Sequence, residues 1–221
     1  MAFFADRVDA GKRLASALAD LKGKNAIVLS IPRGGVVVGF EICKELGFQL
    51  DIIVPRKIGA PNNPELAIGA VTEDGTTILN ERLVGQLGIS KRFILDEGER
   101  QRAEIKRRLK SYRGNAPYPS LKDRLVIIVD DGIATGYTMK AALASVGKKG
   151  AKSVTVAIPV GPPSTIEDLD SMADRMICLF SPEVFYAIGE FYQDFSQTSD
   201  EEVITLLRLN QNQMKNQNVY R

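Results

Sequence analysis

The stretch VIIVDDGIATGYTM, residues 126–139, indicates the fold most strongly because it joins a predicted strand, two acids and a turn. Its apolar, β-branched start predicts a buried parallel strand, and Asp130 and Asp131 follow directly. The turn from Gly132 to Thr138 leads into a predicted helix. Backbone N–H groups of such a turn, together with the positive end of the helix, can surround a phosphate. The sequence therefore predicts an anion site directly beside two negative charges.

The two acids would repel that phosphate unless they face another group. Sugar hydroxyls donate hydrogen bonds to carboxylates, and a divalent cation such as Mg²⁺ also binds them. A phosphate on the turn, with hydroxyls or Mg²⁺ on Asp130 and Asp131, describes a ribose 5-phosphate held at both ends. For the acid pair alone, a strand followed by an Asp-capped helix is the alternative interpretation.

Further β-branched runs repeat the strand pattern along the chain. Helical stretches follow the first, third and fourth runs, at residues 36–47, 138–150 and 164–174. This alternation predicts an α/β fold, with an open, mostly parallel sheet flanked by helices. The predicted strands are residues 25–31, 50–55, 125–130, 153–159 and 176–181.

Composition excludes several classes of function. Lys and Arg total 29 against 27 Asp and Glu, so no overall charge points to nucleic acid or an anionic membrane. With no histidine, the usual proton shuttle and zinc sites are missing. Cys43 and Cys178 lie among apolar residues, which predicts buried thiols. No apolar run has the length of a membrane span or a signal peptide, which predicts a soluble cytoplasmic protein.

One domain is predicted for residues 1–221, with three unusual segments. Residues 89–115 form a highly charged helical insertion, or arm. Its basic run, 106–110, could bind RNA, but neighbouring acids favour a solvated helix. Residues 182–200 are a candidate hood over the site, and the polar end, 210–221, is predicted to be frayed. The hood residues that could stack on a base are Phe185, Tyr186, Phe191, Tyr192 and Phe195.

Two other turns carry cations to the carboxyl edge of the predicted sheet, where open parallel sheets bind ligands. Arg33, Gly34 and Gly35 follow the first strand, and paired glycines let backbone amides approach a polyanion closely. Arg56 and Lys57 follow the second strand. A plain strand-to-helix turn and a solvated basic pair are the respective alternatives.

The stretch 126–139 resembles the phosphoribosyl-pyrophosphate signature of type I phosphoribosyltransferases, which consists of an apolar strand, two acids and a Thr-Gly-x-Thr loop. The order of strands and helices over residues 25–181 is also similar to that family's core. The resemblance implies transfer of ribose 5-phosphate from phosphoribosyl pyrophosphate to a nitrogenous base, with Mg²⁺ required and pyrophosphate released, in nucleotide salvage. This reaction needs no covalent nucleophile, which suits a chain without histidine.

The resemblance also implies roles for individual residues. Asp130 and Asp131 would orient the ribose or bind the metal, and Lys57 would help to hold the leaving pyrophosphate. Residues 60–71, with two prolines and two asparagines, are expected to form a long loop resembling the family's mobile loop by position. The implied substrate-binding residues are Arg33, Gly34, Gly35 and Arg56 for pyrophosphate, and Gly132, Ala134, Thr135, Gly136, Tyr137 and Thr138 for the 5-phosphate.

The acceptor is less defined. Ala134 stands where 6-oxopurine transferases carry an acid, so the loop is closer to adenine- and uracil-type loops, although Tyr137 replaces an expected glycine. No nucleic acid or membrane partner is expected, and a homodimer is compatible with the resemblance. The alternative function is a regulator that senses phosphoribosyl pyrophosphate or a nucleotide without turnover. Arg56, Lys57 and the long loop favour the enzyme, and a Rossmann domain lacks support because no G-x-G-x-x-G follows the first strand.

Overall fold

The structure is a computed structural model that describes residues 3–219. The chain forms two β-sheets flanked by helices. The strands are Ala26–Ser30 (β1), Gln49–Ile52 (β2), Arg56–Ala60 (β3), Asn63–Val71 (β4), Thr77–Leu79 (β5), Leu125–Val129 (β6), Ser153–Val160 (β7) and Arg175–Phe180 (β8). The helices are Arg7–Ala17 (α1), Gly34–Leu46 (α2), Glu81–Gln86 (α3), Lys91–Arg113 (α4), Tyr137–Gly147 (α5), Pro163–Asp170 (α6) and Asp200–Val219 (α7).

The main sheet is parallel and has the strand order β2-β1-β6-β7-β8. These are the five strands predicted from the β-branched runs, and the predicted fold class is confirmed. The chain proceeds from β1 to one side and from β6 to the other, so the strand order reverses between them. Ser30 pairs with Val129, so β1 and β6 end side by side. This is the position where open parallel sheets bind ligands.

Helices cover both faces of the main sheet, which explains why its central strands, β1, β6 and β7, are mostly apolar and buried. Val28 of β1 belongs to the core beneath α1, α2 and α7, whereas Ile27 and Leu29 face the core beneath α5 and α6. All three side chains are fully buried. Alternate side chains of β1 therefore pack against the helices on opposite faces of the sheet.

The second sheet is antiparallel, has the order β3-β4-β5, and corrects two predictions. Residues 60–71 were expected to be a long loop, but they form the tip of a β-hairpin and its return strand. Its apolar residues explain this, because Ile68, Ala70 and Val71 are buried. Arg56 and Lys57 were expected in a turn after the second parallel strand, but they begin the strand β3.

The charged insertion forms α4, one helix capped at its start by the Ser90 hydroxyl, which accepts from the Phe93 N–H at 3.2 Å. Ile105, Leu109 and Tyr112 are buried in the main core, so the arm is fixed along this face.

The polar end was predicted to be frayed, and this is wrong for residues 210–219, which continue α7. Asn210 is 1% exposed, and its side chain accepts from the Leu50 N–H at 2.7 Å and donates to the Phe48 carbonyl at 3.0 Å. This buried amide, whose hydrogen bonds are satisfied, holds α7 against β2 in addition to the buried side chains of Val203 and Leu207. Residues 220–221 of the predicted tail lie outside the described part of the chain.

The cysteine prediction holds for Cys43, which is buried, and in part for Cys178, which is half-buried; neither forms a disulfide. Among the helices within residues 3–219, none is long and apolar enough to cross a membrane.

Candidate active site

A cavity of about 710 Å³ opens at the carboxyl ends of β1 and β6. Its walls come from the turns after these strands, the β3-β4 hairpin, one face of α4 and the hood. Several residues predicted from distant parts of the sequence therefore meet in one space. Those that line the cavity are Arg33, Gly34, Arg56, Lys57, Asp130, Asp131 and Thr138.

The remaining predicted residues adjoin the cavity without lining it. Gly35 packs under the acids, since a Cβ there would lie 2.9 Å from the Asp130 Cα. Gly132, Ala134, Thr135, Gly136 and Tyr137 form the turn that leads from Asp131 to α5.

Helices α2 and α5 both begin at this edge of the sheet. Within residues 3–219, no side chain caps the N-terminus of either helix. By contrast, α1, α3 and α4 are capped by Asp6, Asn80 and Ser90. The first N–H groups of a helix need partners, and an anion can supply them. The site therefore presents two helix N-termini suited to phosphate groups.

The turn before α5 is braced from outside. Gly136 has a left-handed backbone, with φ of 73°, and precedes the first helical residue. The Thr165 hydroxyl of α6 donates to the Ala134 carbonyl at 2.8 Å. Ala134 and Thr135 themselves are exposed. The brace holds the turn's shape and leaves its outer surface open to a ligand.

Asp130 and Asp131 form a closely coupled pair. The Asp131 N–H donates to Asp130 Oδ1 at 2.8 Å. Burial, and secondly the negative charge of Asp131, raise the pKa of Asp130 well above its ordinary value. A cation or hydroxyl donors from a ligand would stabilise the charged form of this carboxylate.

Arg7 is a site residue that the sequence analysis missed. Its Nε donates to Asp131 Oδ2 at 2.7 Å, its Nη1 donates to the Ser196 carbonyl at 2.7 Å, and its guanidinium lies 3.9 Å from the Phe195 ring centroid. The side chains of Arg7 and Asp131 are only 11% and 13% exposed. The arginine therefore joins α1, the hood and the acid turn. The two partners are 124 positions apart, so no local pattern could have revealed the pair.

Gly34 lies directly against this ion pair. A Cβ at this position would overlap Asp131 Oδ2 and would lie 2.6 Å from Arg7 Nε. Only glycine fits here without displacing one of the two charged groups.

The hood was predicted to offer aromatic side chains that stack on a base, and the structure differs from this prediction. Phe191 and Tyr192 are buried in a cluster with Phe4, while Tyr186 is 82% exposed. Phe185 stacks on Phe191 with ring centroids 5.3 Å apart. Among the five hood aromatics, only Phe195 lines the cavity.

Most of the hood instead supports the acid turn. The Tyr192 hydroxyl donates to the Asp131 carbonyl at 2.6 Å. Ile188 packs beside Gly132, where a Cβ would lie 2.5 Å from the Ile188 side chain. These contacts fix the backbone that carries the two acids.

The arm also forms part of the cavity wall. The sequence analysis had predicted a solvated helix and no such contribution. Its lining residues are Phe93, Glu97, Arg100, Gln101 and Arg108. Gln101 Oε1 accepts from Arg56 Nε at 2.5 Å, so the arm orients a cation of β3.

Several known proteins are similar to this chain in sequence or in structure. A family model described as a phosphoribosyl transferase domain matches residues 5–196. A Mycobacterium tuberculosis protein, found in strains H37Rv and CDC 1551 and provisionally named a phosphoribosyl transferase, is 43% identical over 207 residues. The match covers 94% of this chain and 47% of that protein, so the chain spans about half the length of the curated relatives it matches. The crystal structure of the protein TT1426 from Thermus thermophilus has a TM-score of 0.79 and 41% identity, covering 94% of this chain and 98% of that one.

Proposed function

Because the chain belongs to the phosphoribosyl transferase family, we propose that it transfers ribose 5-phosphate from phosphoribosyl pyrophosphate to a nitrogenous base and releases pyrophosphate. One observation supports this most strongly: two uncapped helix N-termini, an acid pair and the cations Arg33, Arg56 and Lys57 converge on one cavity. This combination of donors and acceptors is complementary to a sugar that carries phosphate groups at both ends.

The residues present are compatible with Mg²⁺. Within residues 3–219, no group of three or more metal-ligating side chains occurs, and the adjacent carboxylates of Asp130 and Asp131 are the pair that would hold the ion. Mg²⁺ is commonly held by one or two carboxylates together with substrate phosphates. When bound, it would neutralise charge on the pyrophosphate.

The residues of the chain have separate roles in this reaction. The turn before α5 holds the 5-phosphate, and Asp130 and Asp131 accept hydrogen bonds from the ribose hydroxyls and orient the ring. The first amides of α2, with Arg56 and Lys57, stabilise charge that develops on the departing pyrophosphate. Arg7 holds the Asp131 side chain in position through their ion pair. The bond from C1 to the pyrophosphate breaks as the base nitrogen bonds to C1.

A regulator that senses phosphoribosyl pyrophosphate is the second candidate. Binding alone would need the phosphate turns and the acids but not Lys57, which is exposed at the cavity wall on β3. The test is a screen of bases with phosphoribosyl pyrophosphate and Mg²⁺ that follows pyrophosphate release. Release dependent on one base supports the enzyme, whereas binding without release supports the sensor. A cytoplasmic location and a place in nucleotide salvage remain predictions.

Hypoxanthine and guanine should be poor acceptors in this screen, and adenine, a pyrimidine or another nitrogenous acceptor should do better. Ala134 offers a methyl group where the resemblance would place an acid for a 6-oxopurine, and Asp130 and Asp131 are committed to the ribose. Steady-state kinetics on a panel of bases measures the difference. Robust turnover of guanine by the unmodified protein would show that Ala134 carries no information about the base.

Lys57→Ala should lower turnover by about tenfold or more while changing the affinity for ribose 5-phosphate little, because the proposed partner of Lys57 is the leaving pyrophosphate. Turnover and the affinity for ribose 5-phosphate are measured separately on the variant. Lys110→Ala is the control, since Lys110 is an exposed lysine of α4 outside the cavity lining. Equal losses in turnover and in affinity for ribose 5-phosphate would show instead that Lys57 is a general phosphate contact.

A further inference from the structure

The arm presents a polar stripe to the cavity along one side of α4. Glu97, Gln101 and Arg108 line the cavity, at spacings that place them on the same side of a helix. Tyr112 continues this side one turn further and is buried. Packing of α4 against the core therefore holds the stripe in position.

Arg56 and Arg108 meet at a single carboxylate. Arg108 Nε donates to Glu104 Oε1 at 3.0 Å, and Arg56 Nη1 lies 4.0 Å from the same oxygen. Arg107 occupies Glu104 as well, with two hydrogen bonds of 2.7 and 2.8 Å. Burial, and secondly the charge of Arg108, lower the pKa of Arg56. Three guanidinium groups thus share one negative charge.

Arg33 faces the same region from the turn after β1. Its Nη1 lies 3.7 Å from Asp200 Oδ1, which accepts from the Tyr112 hydroxyl of α4 at 2.7 Å. The side chains of Arg33, Arg56 and Arg108 are 35%, 28% and 34% exposed, and all three line the cavity. This wall of the cavity carries an excess of positive charge that an anion with several oxygens would neutralise.

We propose that Arg108 of the arm binds pyrophosphate and completes the anion site formed by the turn after β1 and by Arg56. This rests on the proposed function. Pyrophosphate fits better than the 5-phosphate because Arg108 neighbours Arg56 of β3 and lies on the helix that faces Arg33, whereas the 5-phosphate is assigned to the turn before α5. The charged insertion is then part of the substrate site.

The test compares Arg108→Ala with Arg107→Ala. Both arginines are neighbours on α4, carry the same charge and pair with Glu104, but Arg107 is 66% exposed and does not line the cavity. Each protein is titrated by calorimetry with pyrophosphate and Mg²⁺, and separately with ribose 5-phosphate. Arg108→Lys is included because it keeps the charge and loses the planar guanidinium.

Arg108→Ala should raise the Kd for pyrophosphate at least tenfold and leave that for ribose 5-phosphate within about twofold, since a lost hydrogen bond to a charged group has an effect of this order. Arg107→Ala should change neither Kd by more than about twofold, and Arg108→Lys should give an intermediate loss for pyrophosphate. Equal weakening by the two alanine variants, or none by Arg108→Ala, overturns the inference.

Failure of the inference and failure of the proposed function are distinguishable. An unmodified protein that binds pyrophosphate but not phosphoribosyl pyrophosphate contradicts the function, and the two arginine variants still decide the role of Arg108. If Arg108→Ala melts at a much lower temperature, Arg108→Lys decides instead, and unchanged pyrophosphate affinity in that variant overturns the inference.

Discussion

Replacing both acids, Asp130→Asn with Asp131→Asn, should weaken binding of phosphoribosyl pyrophosphate by a factor on the order of 10² or more. The carboxylates are proposed to accept from the ribose hydroxyls, and hydrogen bonds to charged groups contribute about 1.5–3 kcal/mol each. Asparagine keeps the shape of aspartate and removes its charge. Calorimetric titration of the variant with phosphoribosyl pyrophosphate and Mg²⁺ measures the effect.

The Arg7–Asp131 pair calls for a second variant in this experiment. Asp131→Asn leaves the guanidinium of Arg7, which is 11% exposed, without its carboxylate, so the double variant should also lose thermal stability. Asp130→Asn alone leaves that pair intact and should still weaken binding at least tenfold. Asp168→Asn serves as the control, because Asp168 is an exposed acid of α6 outside the cavity lining. Unchanged affinity in the double variant would contradict the assignment of the acids.

Gly34→Ala should also weaken binding of phosphoribosyl pyrophosphate by about tenfold or more. A methyl group at this position would overlap Asp131 Oδ2 and crowd Arg7 Nε, so one of the two charged groups must move. Inserting a methyl group into a packed site typically costs about 1–3 kcal/mol. Because the strain falls on an acid of the site, affinity and melting temperature should drop together.

Gly85→Ala is the matched control for this change. Gly85 lies in α3, is exposed, and has no atom within 4 Å of an added Cβ. Alanine there should stabilise the helix by about 1 kcal/mol and leave binding unchanged. Wild-type affinity in Gly34→Ala would show that the crowding is relieved without affecting the ligand site.

The main sheet was predictable because its central strands, β1, β6 and β7, are buried on both faces. Such strands are mostly apolar, and the five predicted strands agree with β1, β2, β6, β7 and β8 to within a few residues. The second sheet was missed because the prolines and asparagines at its tip indicate a loop. The buried residues of β4 that oppose this, Ile68, Ala70 and Val71, follow several exposed ones.

The candidate site was predictable only where it is local in sequence. The acids, the turn before α5 and the turn after β1 are each contiguous, and their meeting follows from the parallel order of β1 and β6. Arg7 depends on a pairing across 124 positions. The inward face of the arm was hidden because Ile105 and Leu109 are separated by charged residues, and overall charge suggested solvent on every side.

We propose that the cavity at the ends of β1 and β6 binds phosphoribosyl pyrophosphate. A calorimetric titration of the unmodified protein with phosphoribosyl pyrophosphate and Mg²⁺ tests this proposal. We expect saturable binding of one ligand per chain, reduced by competing ribose 5-phosphate and by competing pyrophosphate, because each occupies one end of the same site. No binding of phosphoribosyl pyrophosphate, or binding that neither competitor reduces, would contradict the account.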